Sequence, residues 1–341
     1  IAHRTAELSL NPGICAQDGF LTSHVIESLR LPEPELVKEY LGDPADMIES
    51  ATPAQRMVFG ETRRRIPEIF DYDNPAMIGV VQNQDSYAQG VASQRPFFFD
   101  HIQELTDQAM EEYAALTGRR YARVTGYRSE DAEYVIVGQG SVVANAEAVV
   151  DHLREQGMKV GVINATLFRP FPSVLLVKLL RGKKGAVVLE RVDQPLAVDP
   201  PLLREIRAAM AKAVENDRSG NGNLPHPYLE ACRADEIPDF FSGSFGMGSR
   251  DLQPGDIIAA VENMLPDGEK KRMFYLGIDF IRSGNVHPQV KQWQEKIEQA
   301  YPHVKELALA SKGEVDLLPK GSLAVRIHSI GGWGAITMGK N

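Results

Sequence analysis

One stretch of this chain leaves little freedom in its fold. From residue 134 to residue 264, β-branched or apolar runs alternate with amphipathic helical runs, and glycine or proline marks the changes. Strands are expected over 134–137, 159–163, 185–190 and 237–241, with helices over 142–156, 173–180, 202–213 and 254–264. Gly157 stops the first of these helices, and 219–227, rich in Gly, Asn and Pro, links the third to the last strand. Strand–helix alternation at this spacing predicts a parallel α/β domain over residues 126–268.

The flanks read differently. Residues 1–10 are expected to be helical, Asn11, Pro12 and Gly13 break that helix, and 13–17 read as a short buried strand. Residues 31–82 carry Pro32, Pro34, Pro44, Pro53, Pro67 and Pro75, an extended excursion with short helices at 35–41 and 55–65. Helices follow over 85–94 and 100–116, the second with Asp100 as N-cap and Gly118 as its stop. Beyond the α/β domain come a strand at 273–278, a charged helix at 290–301 and a polar connector at 306–320. Residues 322–341 read as a strand, a glycine turn and the first residues of a helix. A βα half-unit needs a crossover and a second strand. The chain is therefore expected to be a segment of a longer polypeptide, or to dock onto something that completes it.

Composition excludes several classes. A net charge of −9 argues against nucleic acid or an anionic membrane as the main partner. The longest apolar run, 174–180, is interrupted by Lys178 and is far too short for a membrane span. Nothing marks the chain for export, so a cytoplasmic location is expected. Two cysteines, Cys15 and Cys232, cannot ligate an iron–sulfur cluster by themselves and are expected to be buried thiols. The eight histidines show no i, i+4 pair, so no metal site is expected.

Three clusters could carry chemistry. The glycine turns at 138–141 and 243–249 each follow a strand and precede a helix, where converging N–H groups can cradle a phosphate. Tight βα turns use glycine in any case, and no GK[ST] triplet supports the cradle. Asp18, Thr22, Ser23 and His24 gather polar groups after the 13–17 strand, where open α/β sheets place ligands. They form either part of an active-site wall or a helix cap with interface groups. A Ser-His-Asp triad is set aside, because no strained nucleophile elbow surrounds Ser23. Residues 169–172 read as a rigid turn, and Arg191 with Asp193 as an ion pair or cap. No GDG diphosphate motif and no complete dinucleotide fingerprint occurs.

Together these stretches resemble the pyruvate:ferredoxin oxidoreductases, a branch of the 2-oxoacid:acceptor oxidoreductases. The matching text is AQDGFLTSH at 16–24, VVQNQDSYAQG at 80–90, VIVGQGS at 135–141 and LFRPFP at 167–172. It continues with VLERVDQP at 188–195, FSGSFGMGSRDLQP at 241–254, FYLGIDF at 274–280 and the tail IHSIGGWGAITMGKN. The match rests on the order and spacing of these pieces over nearly the whole chain.

The resemblance implies an α/β fold: a parallel-sheet transketolase C-terminal-like domain over 126–268, flanked by incomplete neighbours. Residues 1–125 would be the C-terminal part of a thiamine pyrimidine-binding domain with its excursion. Residues 269–321 would be a strand, helix and linker, and 322–341 the opening βα unit of a gamma domain associated with coenzyme A. The implied activity is oxidative decarboxylation of a 2-oxoacid, pyruvate in the first instance, to an acyl-CoA with electrons passed to iron–sulfur clusters held elsewhere. The implied cofactors of the whole enzyme are thiamine diphosphate, Mg2+, coenzyme A and 4Fe–4S clusters, none bound wholly by this segment. Implied partners are a domain or subunit bearing the thiamine diphosphate and clusters, a ferredoxin-type electron carrier, and a second copy of the complex. Asp18, Thr22, Ser23 and His24 would lie near the active-site wall. Gly331, Gly332 and Gly334 would cradle the coenzyme A nucleotide. The family's substrate loop, its activating Glu and its cluster cysteines are absent from this sequence. Two other readings stay open: a non-catalytic scaffold of such a complex, and the beta-type subunit of a 2-oxoacid dehydrogenase, against which the gamma-like tail argues.

Overall fold

The structure, a computed structural model, describes residues 1–19, 30–68, 83–220, 222–278, 287–313, 315, 317–318 and 320–323. The first elements are α1 (Ala2–Ser9), α2 (Pro34–Leu41), β1 (Met47–Glu49), α3 (Pro53–Phe59), β2 (Thr62–Arg64), α4 (Gln84–Phe97) and α5 (Ile102–Thr117). Proline opens α2 and α3, where its missing N–H would have no partner anyway. Thr52 Oγ1 accepts the Gln55 N–H at 3.2 Å to cap α3, and Asn83 Oδ1 accepts the Ser86 N–H at 3.0 Å to cap α4.

The main sheet follows: β3 (Val124–Tyr127), β4 (Tyr134–Gly138), α6 (Val142–Glu155), β5 (Val160–Ala165), α7 (Ser173–Leu180), β6 (Gly185–Glu190), α8 (Pro201–Ser219), β7 (Asp239–Ser244), α9 (Pro254–Met264) and β8 (Met273–Tyr275). Helix α10 (Pro288–Ala300) is the last α-helix among the described residues. The strand order is β3-β5-β4-β6-β7-β8, parallel throughout except for β3, which runs antiparallel to β5.

Both faces of this sheet are covered, which is why its strands read as continuous apolar runs. Val135 and Val137 of β4 face Leu176, Leu180, Leu202 and Ile206 of α7 and α8. Ile136, between them, faces the other way, toward Val149, Leu153, Ile257 and Val261 of α6 and α9. The two-residue period of a strand sorts these side chains to opposite faces. Phe241 and Phe274 are fully buried in the second cluster.

Several expectations need correction. Residues 13–17 form no strand: they are exposed, with Ile14 93% exposed, and the described residues supply no neighbour to pair with them. Cys15 is accordingly exposed, while Cys232 is buried as expected. The helix expected at 55–65 ends at Phe59, and 62–64 instead pair antiparallel with 47–49. The reason is Arg63, which is 2% exposed. Its guanidinium donates to Glu7 O at 2.8 Å, Arg65 O at 2.6 Å and Gln55 Oε1 at 2.8 Å, so it caps the carboxyl end of α1. Asp100 sits in a single 3-10 turn, 99–101, ahead of α5, and so is not its N-cap. Gly118, at φ 72°, does end α5.

The sheet also reaches beyond 126–268 at both ends, taking in Val124 and Tyr275. Nor is the 306–320 connector wholly polar. The Tyr275 N–H donates to Leu307 O at 2.7 Å and the Leu309 N–H donates to Tyr275 O at 3.1 Å. Ala308 and Leu309 are buried there against the β8 edge. No helix among the described residues is long and apolar enough to cross a membrane.

Candidate functional site

Open α/β sheets place functional groups outside the carboxyl ends of their strands, where the strand order reverses. Here that point lies between β4 and β6: from β4 the chain moves outward to β5, and from β6 it moves the opposite way to β7. The loops meeting at this edge are 138–141 after β4, 190–199 after β6 and 244–253 after β7. The first and third lie in motifs singled out in the sequence, and so does the 190–195 part of the second.

The segment ending in Asp18 and Gly19 lies across them. An Asp18 Oδ2 atom accepts the Ser141 N–H at 2.7 Å, at the amino end of α6. The Arg191 guanidinium donates from Nη1 to Gly19 O at 3.1 Å and from Nε to Gly246 O at 3.3 Å. Ser244 Oγ donates to Val192 O at 2.6 Å, joining β7 to the same loop. On the other side, Gln139 Nε2 donates to Ala165 O at 3.0 Å and joins the ends of β4 and β5.

This geometry decides between the two readings of the glycine turns. The amino end of α6 already holds a carboxylate of this chain, and a Cβ on Gly140 would stand 2.8 Å from Asp18 Oδ2. At α8, Glu190 accepts the Leu202 N–H at 2.6 Å and the Leu203 N–H at 3.2 Å. At α9, Asp256 accepts the Gln253 N–H at 3.1 Å. These three helix termini, each able to attract an anion, are served by internal carboxylates. A Cβ on Gly246, at φ 68°, would come within 3.0 Å of the Arg191 side chain. Gly243 sits inside β7, against Leu189 and Phe274. Gly140 and Gly246 therefore make room for side chains and Gly243 for close packing, and the amino end of α6 is taken by a carboxylate rather than a phosphate.

Burial pushes the Glu190 carboxyl above the ordinary glutamate range, although the two N–H groups it accepts pull the other way. Burial, followed by a hydrogen bond with Asp193, pushes the Tyr275 phenol up. Among the described residues Arg191 donates to backbone carbonyls and makes no ion pair with Asp193.

Of the residues expected at a site, Asp18 stands at this edge. Thr22, Ser23 and His24 lie outside the described residues, as do Gly331, Gly332 and Gly334. Among the described residues no group of three or more His, Cys, Asp or Glu could hold a metal ion. Cys15 is exposed and Cys232 is buried in the core between α8 and the sheet, so the pair does not fit an iron–sulfur cluster. Sequence reasoning missed the part played by Arg191. The signal was its position directly after the carboxyl end of a central strand.

Known proteins resemble this chain in the same region and beyond it. A model of the pyruvate:ferredoxin oxidoreductase core domain II matches residues 132–223. The pyruvate synthase subunit PorA of Thermotoga maritima is 29% identical over 266 residues, 76% of this chain and 56% of that protein. A probable pyruvate-flavodoxin oxidoreductase of Escherichia coli is 31% identical over 265 residues, 76% of this chain and 20% of that protein. The pyruvate:ferredoxin oxidoreductase of Moorella thermoacetica is 25% identical over 342 residues, 100% of this chain and 24% of that protein. The chain thus spans between a fifth and just over half of the length of these relatives.

Proposed function

Since this chain is a segment of the 2-oxoacid:ferredoxin oxidoreductase family, we propose that it forms part of an enzyme that oxidatively decarboxylates a 2-oxoacid, pyruvate in the first instance, to an acyl-CoA. The observation that carries this reading is the alignment of the whole chain with the Moorella thermoacetica pyruvate:ferredoxin oxidoreductase. Pyruvate also appears in the names of the Thermotoga and Escherichia relatives.

In this reading residues 1–125 complete a thiamine pyrimidine-binding domain, 126–268 form a transketolase C-terminal-like domain, 269–321 link onward and 322–341 open a gamma domain. Thiamine diphosphate with Mg2+, held mainly by other parts of the enzyme, supplies the electron sink for decarboxylation. 4Fe–4S clusters held by another domain or subunit would supply one-electron transfer to a ferredoxin- or flavodoxin-type carrier in the cytoplasm, and two copies of the complex would associate. This chain's own contribution is to hold Asp18, Thr22, Ser23 and His24 at the inter-domain wall, and to bring Gly331, Gly332 and Gly334 to coenzyme A.

The test uses the purified whole enzyme with pyruvate, coenzyme A and a low-potential one-electron dye. Acetyl-CoA formation with dye reduction is expected. Reduction of NAD through lipoamide, with the dye untouched, would place the chain among the 2-oxoacid dehydrogenases.

A further inference from the structure

The two glycine turns at the carboxyl edge are seats for two side chains. Asp18 lies over Gly140 and Arg191 lies over Gly246, so closely that a Cβ on either glycine would meet them at 2.8 Å and 3.0 Å. Both glycines also hold positive φ, 72° and 68°, which lets each turn present its backbone to the side chain above it. The two side chains serve one segment: Asp18 fastens its own carboxylate to the Ser141 N–H, and Arg191 fastens the next residue, Gly19, through its carbonyl. Arg191 reaches at the same time to Gly246 O. A guanidinium can span two carbonyls in this way because its donors sit in a fixed planar fork.

From this we infer that Asp18 and Arg191 are the two halves of a latch. It fixes the segment arriving from residues 1–17 across the β4–β6 reversal point, and Arg191 is a positioning residue for the reaction. The inference rests on the reading above, in which residues 1–125 belong to the pyrimidine-binding domain. Under that reading the latch sets the register between that domain and the α/β sheet. Either half alone leaves the segment hinged at one point, so losing one half forfeits most of what the other provides.

The test is a double-variant cycle in the whole enzyme: Asp18→Ala, Arg191→Ala and both together, with Arg191→Lys as a fourth variant. Each single alanine is expected to lower kcat by about 10- to 100-fold, the scale of misplaced reacting groups. The KM for the electron acceptor should hold. The double variant should be no worse than the more damaged single, because neighbouring groups acting as one unit are not additive. Arg191→Lys should stay impaired, since one ammonium cannot replace the fork. A purely structural role would instead lower the yield of intact enzyme with kcat per intact enzyme unchanged, and that pattern overturns the latch. So do single variants with wild-type kcat.

A second measurement does not depend on turnover. Arg191 makes no hydrogen bond to Ser141, yet Arg191→Ala is expected to lower hydrogen-exchange protection of the Ser141 amide about tenfold by freeing Asp18. Unchanged protection overturns the latch. If wild-type enzyme fails to turn over pyruvate, the reading of function falls, and the exchange measurement still decides the latch.

Discussion

Asp18 and Ser141, 123 residues apart, meet through a 2.7 Å hydrogen bond in which a carboxylate occupies the amino end of α6. In a nucleotide-binding βα unit that position holds a phosphate. Here it holds part of the chain's own amino-terminal segment, which makes the reversal point of the sheet an internal socket.

The socket should not tolerate a side chain at Gly140. Gly140→Ala adds a Cβ 2.8 Å from Asp18 Oδ2 and forces an L-residue to φ 72°. The conformational part alone costs about 1–2 kcal/mol. A lowered thermal transition of the whole enzyme is expected, and Asp18→Ala on top should recover the steric part only.

Arg63 should be hard to replace. It is fully sequestered, and its guanidinium holds the last carbonyls of α1, the Gln55 side chain and its own hairpin. Arg63→Met removes the donor to the Glu7 and Arg65 carbonyls, while Leu8 O keeps the Gln55 amide, at about 1–3 kcal/mol for each group left unpaired. Faster hydrogen exchange throughout α1 is the expected readout, and Arg63→Lys should rescue little.

The core makes a larger demand. Phe241 is fully buried, between the sheet and the α6 and α9 layer. Phe241→Ala is expected to destabilise by about 3–5 kcal/mol. Soluble yield and the urea midpoint should both fall.

Glu190 gives a pH signature. Its carboxyl titrates above the ordinary value in the folded chain, mainly through burial. Between the ordinary value and the raised one, the folded state holds more protons than the unfolded state. Stability from this group is therefore fully present below the ordinary glutamate pKa and is lost as pH rises through the folded one. Glu190→Gln should flatten that part of the profile, read as urea midpoints from pH 4 upward, in ~0.5-unit steps. An unchanged slope would mean Glu190 is not the group responsible.

The tail carries its own test. If Gly332 approaches the coenzyme A nucleotide closely, Gly332→Val should raise the KM for coenzyme A about tenfold or more with little change in kcat, because bulk at a glycine cradle blocks backbone approach. An unaltered KM would remove the tail from the coenzyme A site.

Much of the fold was legible because it rests on local signals. The helices 173–180 and 254–264 and the strand 185–190 stand where proline, glycine and β-branched runs place them. What escaped depended on distant partners. Strand β3 is short, and it exists by pairing with β5. The hairpin at 62–64 is held by Arg63 reaching back to α1, which overrides the helical look of 55–65. Residues 13–17 look like a buried strand, yet they are exposed. The site was half legible: the glycine turns announced that something approaches them, but glycine does not say whether the visitor is a phosphate or a neighbouring side chain. Asp18 was marked as a polar group near a ligand edge, while its partner in the latch, Arg191, read only as an ion pair or cap with Asp193.

The most direct measurement is the electron balance of the purified whole enzyme, with iron determined on the same sample. The account expects iron in the enzyme, and two equivalents of a one-electron acceptor reduced for each acetyl-CoA formed from pyruvate and coenzyme A. An iron-free enzyme, or acetyl-CoA formed only with lipoamide and NAD, would contradict it.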